Sequence, residues 1–164
     1  MKKQLLLTFL IIFVFCLSIS AAFAAASVPT EGVKSSNPLV GSSIETENSL
    51  NATSMQILSA SLFTSWFCQI TNKGDGTVNI TGNSEAVSSV QNISVTIFLQ
   101  KWDGTQWVDL TSVTNSGSNT FYISALKNVA VTRGYDYRAR ATHFINNAGT
   151  IENKSSTSTY IRVN

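Results

Sequence analysis

One histidine, one late cysteine and six carboxylates are the residues that could do chemistry in the C-terminal two thirds of this chain. His143 is the only histidine. A metal site needs several His, Cys, Asp or Glu ligands converging on one point. His143 and Cys68 fall in separate apolar runs, so no metal is expected. The carboxylates are Asp75, Glu85, Asp103, Asp109, Asp136 and Glu152. No two of them fall on one face at a spacing that suits a glycosidase pair. Asp75 and Asp103 each precede a glycine, where Asp serves the turn itself. Lys73-Gly74-Asp75-Gly76 lacks the further acidic ligands of a calcium loop. The chain has no G-x-S-x-G elbow, phosphate loop or dinucleotide fingerprint. No cofactor and no catalytic residue is expected. His143 reads as a core or rim histidine with a hydrogen-bond partner, and Cys68 as a small buried hydrophobe.

Aromatic residues offer binding chemistry. Exposed rings on a sheet stack on sugars, and Trp66, Trp102, Trp107, Tyr122, Tyr135 and Tyr160 are the candidates. The sharper set of candidate ligand contacts is Trp102, Trp107 and Tyr135. Trp102 and Trp107 flank Asp103-Gly104, a tight-turn signal. Trp107 opens a strand and is expected to reach the core. Trp102 is expected beside a solvent-facing turn. Arg138, Arg140 and Arg162 could line one sheet face.

These residues are positioned by strands. Ile93, Val95, Ile97 and Leu99 alternate with polar or aromatic neighbours at a period of two. Val108 and Leu110 resume the alternation after the turn. Further runs are Ile57–Thr71 with a break near Ser65, Thr77–Gly82, Thr120–Leu126, Gly134–Ile145 and Thr150–Val163. Asn83–Gln91 reads as a polar loop, Asn115–Ser118 and Asn146–Gly149 as turns. About seven short strands with regular turn signals predict an all-β, antiparallel sandwich over 57–164.

The segment before it differs. Met1–Gln4 is basic, Leu5–Ile19 is nearly all apolar, and Ser20–Ala26 is rich in small residues. Together they predict a secretory signal peptide over 1–26. Phe15 precedes Cys16 where lipid attachment wants a small residue, so no lipid anchor is expected. Loss of Lys2 and Lys3 balances the remaining cationic and acidic residues. The basic pI is then no reason to expect nucleic acid or an anionic membrane. No membrane span is expected after cleavage. Residues 27–56 are rich in Ser, Thr, Asn, Glu and Gly and show no apolar period. That composition predicts a disordered leader or linker without core contacts. A pro-peptide and a cell-wall spacer both fit it.

Val131-Thr132-Arg133-Gly134-Tyr135-Asp136-Tyr137-Arg138-Ala139-Arg140-Ala141 resembles the corner and following strand of fibronectin type III and related immunoglobulin-like domains. The resemblance implies that Tyr137 bonds back to upstream backbone. It also implies that Tyr137, Ala139, Ala141 and His143 face inward while Arg138 and Arg140 face out. Arg133 stands where such corners often carry proline. Leu99-Gln100-Lys101, Gly104 with Trp107, and Tyr137-Arg138-Ala139-Arg140 resemble a family of small secreted bacterial proteins, chiefly Gram-positive, that carries a domain-of-unknown-function label. That likeness implies fold and secretion and adds no reaction.

The sequence therefore reads as a secreted, extracellular, non-catalytic immunoglobulin-like β-sandwich. Its expected role is an interaction module, free or associated with the envelope, whose partner is a cell-envelope polysaccharide or surface protein. The alternative is a carbohydrate-binding module using the hairpin aromatics, and the third reading a hydrolase with an unrecognised site.

Overall fold

A computed structural model describes residues 28–29, 31–43 and 61–164. The expected signal peptide lies outside them. Seven strands follow in chain order: β1 Val40–Ser42, β2 Phe63–Asn72, β3 Thr77–Trp102, β4 Trp107–Ala130, β5 Tyr135–Asn147, β6 Thr150–Thr157 and β7 Ile161–Val163. All pair antiparallel in one sheet, ordered β1-β2-β3-β5-β6, with β4 on β3 and β7 on β5. The all-β, antiparallel expectation holds. The sheet is continuous and curled into a half-barrel.

Two strands make that shape. β3 has 26 residues and β4 has 24, far beyond an ordinary strand. The first half of β3 lies between β2 and the end of β4. Its second half lies between the start of β4 and β5. The β3–β4 pair bends where its register shifts between Glu85 and Val90. Inward residues change phase there, from Val78, Ile80, Ser84 and Ala86 to Ile93, Val95, Ile97 and Leu99. The polar stretch Asn83–Gln91, expected as a loop, is thus the bent middle of a strand. The strand conformation runs through it, with pairing resumed at Val90 and Val87 N donating to Leu62 O, so polar composition does not end it. Asn115–Ser118 likewise continues β4 instead of turning.

The two halves of the curled sheet face each other. Between them lie Cys68 and Ile70 of β2, Val78 and Ile80, Val95, Ile97 and Leu99, then Tyr137, Ala139 and Ala141 of β5. A smaller cluster of Phe63, Ala86, Val90, Ile93 and Ile145 fills the bend end. The expected bond from Tyr137 to upstream backbone is present: its hydroxyl donates to Thr132 O at 2.7 Å.

The expectation of a contact-free leader fails for residues 31–43. β1 pairs with Gln69–Thr71 of β2. Thr159 N donates to Ser42 O and Tyr160 N to Val33 O, at 2.9 and 2.8 Å. Ser35 N donates back to Tyr160 O at 2.8 Å. The segment clasps the connection between β6 and β7 and joins it to the β2 edge. Backbone groups do this pairing, and they carry no compositional signal. The remainder of 27–56 lies outside the described residues.

Candidate functional site

The outer face of β3, β4 and β5 carries a contiguous row of charged and aromatic side chains. Register makes it. Phe98 is opposite Arg140, and Gln100 lies between Asp109 and Arg138. Trp102 is opposite Trp107. Since Leu99 and Lys101 share the core face with Ala139 and Tyr137, these even-numbered residues of β3 point outward. Arg138 Nε donates to Gln100 Oε1 at 2.8 Å, and Gln100 Nε2 to Asp109 Oδ1 at 2.7 Å. Arg140 Nη2 meets Asp109 Oδ2 at 3.3 Å, with both side chains over a third exposed. The Arg140 guanidinium lies 4.7 Å from the Phe98 ring centre and that of Arg138 4.4 Å from Trp107. Each cation therefore has an aromatic face and an acceptor, the arrangement in which Arg holds planar partners. Arg162 lies apart, paired with buried Asp136 at 2.9 Å and with Gly134 O. The expected arginine face therefore contains Arg138 and Arg140 without Arg162.

Trp107 does not take its expected place in the core, and Trp102, beside the turn, is the buried ring. Trp102 is 3% exposed, so it offers no ring to a ligand. Trp107 is half-buried at the rim and does not enter the core. A register shift between Leu99 and Gln100 leaves Leu110 without a partner across the ladder. That bulge resets the phase of β4 and brings Trp107 to the outer face, where the alternation of β3 already places Trp102. They meet edge to face at 5.4 Å. Trp107 also touches Tyr160 at 5.8 Å and donates from Nε1 to Glu31 O at 2.9 Å. Gly32, at φ +96°, sits so that a Cβ would lie 3.2 Å from an Arg138 nitrogen. The N-terminal segment thus covers one end of the row. Tyr135, the third candidate, is half-buried with Lys101 Nζ 3.4 Å from its ring centre. No signal in the sequence brought residues 31–32 to the tryptophans.

His143 lies in the core, 1% exposed. Its Nδ1 is 2.9 Å from Ser84 Oγ and its Nε2 2.8 Å from Ser156 Oγ. Phe63 stands edge-on at 6.5 Å. Burial lowers the imidazole pKa to about 4. The ring is therefore neutral at ordinary pH, with one nitrogen donating and the other accepting. Cys68 lies nearby, its Sγ 3.5 Å from Ala139 O. Burial raises its pKa to about 11, outweighing the hydrogen bond from Ser156. A thiol so held is a poor nucleophile. Asp103 caps the hairpin turn, accepting from Thr105 N and Gln106 N. Those bonds lower its pKa. Among the described residues, no three of His, Cys, Asp and Glu converge to hold a metal.

A cleft of about 320 Å³ opens where β4 bends, lined by Asn92, Ser94, Ser116, Ser118 and Phe144 with the backbone of Ile93 and Gly117. Composition did not mark it, because its residues are scattered over three strands. No protein-family model matches the chain, and no curated protein does.

Proposed function

We propose that this protein is a secreted, non-catalytic interaction module of the extracellular or envelope-associated kind. The observation that carries this reading is the Phe98–Arg140–Asp109–Gln100–Arg138–Trp107 row. Its arginines are oriented by neighbours, and the Arg140–Asp109 end is open to solvent. Preoriented guanidinium groups beside aromatic rings suit acidic and planar groups on a partner surface. The closed environment of His143 supports the non-catalytic part, since a proton carrier must reach a substrate. The Tyr137 corner bond supports an immunoglobulin-like, fibronectin type III-like sandwich. The motifs at Leu99–Lys101, Gly104, Trp107 and Tyr137–Arg140 support kinship with the small secreted bacterial family.

The test is sedimentation of purified protein with isolated envelopes of the producing cell. The native chain is expected to co-sediment, and Arg140→Ala to lose most of that binding with an unchanged thermal midpoint. No sedimentation of the native chain would overturn the proposal. A carbohydrate-binding reading draws on the bend cleft, where one aromatic ring stands among hydroxyl and amide groups. It requires Phe144→Ala to abolish polysaccharide binding.

A further inference from the structure

The N-terminal clasp is held by its backbone more than by its side chains. Ser43 N donates to Cys68 O at 2.8 Å and Asn72 N to Leu39 O at 2.7 Å on the β2 side. Ser42 and Val33 accept from Thr159 and Tyr160 on the other. Val28, Val33 and Leu39 are all more than half exposed, so apolar burial adds little. Such a segment opens at far lower free energy than the core. Opening it bares the β2 edge and the backbone groups of Thr159 and Tyr160, unpaired groups that recruit a replacement strand.

The slot is selective. A Cβ on Gly41 would lie 2.2 Å from Thr159 O and 3.0 Å from Ile70 Cγ2. An extended chain enters only with glycine at that position. Gly32 adds a second requirement, a positive φ where the chain passes Arg138 and Trp107. The sequence that meets both is the clasp itself, whether from the same chain or from another copy.

The connection does not decide between them. Ser42 pairs with Gln69, so Ser43 lies beside Cys68, seven residues along β2 from Ser61. That separation is roughly 23 Å at strand spacing. The intervening stretch, residues 44–60, could reach roughly 60 Å when extended. It is long enough to deliver the clasp to a neighbouring molecule.

We propose that residues 31–43 exchange between copies, the clasp of each filling the slot of the other in a closed two-fold dimer. This rests on the reading of the chain as an interaction module and names a partner, a second copy. The exchange is measured without envelopes, so its failure and the failure of envelope binding are separate results.

Single-cysteine variants at two register partners test it. The full chain is produced by export as Ser42→Cys in one sample and Gln69→Cys in another. They are mixed at high concentration and oxidised. Cys68 is fully buried and stays out of the reaction. The expected product is a disulfide-linked 42–69 heterodimer, at least tenfold above the 42–42 and 69–69 species. Adding Gly41→Val to the Ser42→Cys chain should remove it. A chain carrying both Ser42→Cys and Gln69→Cys should close internally when dilute, which verifies the register. Heterodimer no more abundant than the two homodimers overturns exchange. Dominant 69–69 product overturns it in favour of direct β2–β2 pairing. Failure of the double variant to close at any concentration overturns the slot itself.

Discussion

The curled sheet leaves two seams, and they are closed by different means. One lies between the two halves of β4, which the bend brings towards each other. Side chains cross it: Asn115 Nδ2 donates to Ser124 O at 2.7 Å, and Lys127 Nζ to Thr111 Oγ1 and Ser112 O at 2.6 and 3.0 Å. The other lies between β2 and the β6–β7 connection, where the clasp supplies backbone partners on both sides. Side chains reach two edge carbonyls at the first seam, Ser124 O and Ser112 O, whereas backbone groups fill the second. The β4 seam is stitched by residues of one strand and has no other source. The clasped seam is filled by a segment far away in sequence, and so it can be filled from elsewhere. Closure by side chains fixes a fold, whereas closure by a tethered strand adds a point of exchange.

His143 tests what both seams share, since it bridges Ser84 on β3 and Ser156 on β6 across the core. Its folded-state pKa of about 4 lies below the ordinary 6.5. As pH falls, the unfolded chain takes up the proton first. Stability from this group is therefore complete above about 6.5 and lost on descent to about 4, by about 3 kcal/mol. Urea titrations between pH 7 and 4.5 should show the fall, and His143→Gln should flatten it. An unchanged slope in the variant would place the loss elsewhere.

Gly41→Val attacks the clasped seam alone. Overpacking against Thr159 O should lower stability by about 2 kcal/mol in chemical denaturation. A neutral result would mean that the slot adapts and is not selective. Tyr137→Phe removes the hydroxyl bond to Thr132 O, away from both seams, and should lose about 1–2 kcal/mol. No loss would detach the corner from the stability of the sheet. Asn115→Ala cuts one exposed stitch of the β4 seam and should lose less than about 1 kcal/mol. A larger loss there would reverse the comparison and make the side-chain seam the critical one.

Sequence reasoning reached the parts of this fold that repeat a pattern. Ile93–Leu99 are read from a period of two, and the inward run Tyr137, Ala139, Ala141 and His143, with its back-bonded tyrosine, from the likeness to a fibronectin type III corner. Asn83–Gln91 was opaque because a bend keeps the ladder while breaking the alternation. Trp107 was misplaced because one bulged residue, Leu110, changes the face of the β4 residues between it and the turn. The Arg138–Gln100–Asp109 row needs the register of three strands, which no single stretch contains. The clasp was hidden most completely, since a three-residue strand held by peptide groups leaves no trace in side-chain composition.

Amide hydrogen exchange at Thr159 and Tyr160 tests the clasped seam most directly. Their N–H groups donate to Ser42 and Val33, so they report the clasp and nothing within the rest of the sheet. In the full chain both amides should be protected, but less than the core amides of Val95 and Ile97. In a chain lacking residues 27–43 that protection should vanish while Val95 and Ile97 keep theirs. Equal exchange at Thr159 and Tyr160 in the two chains would contradict closure of this seam by the N-terminal segment.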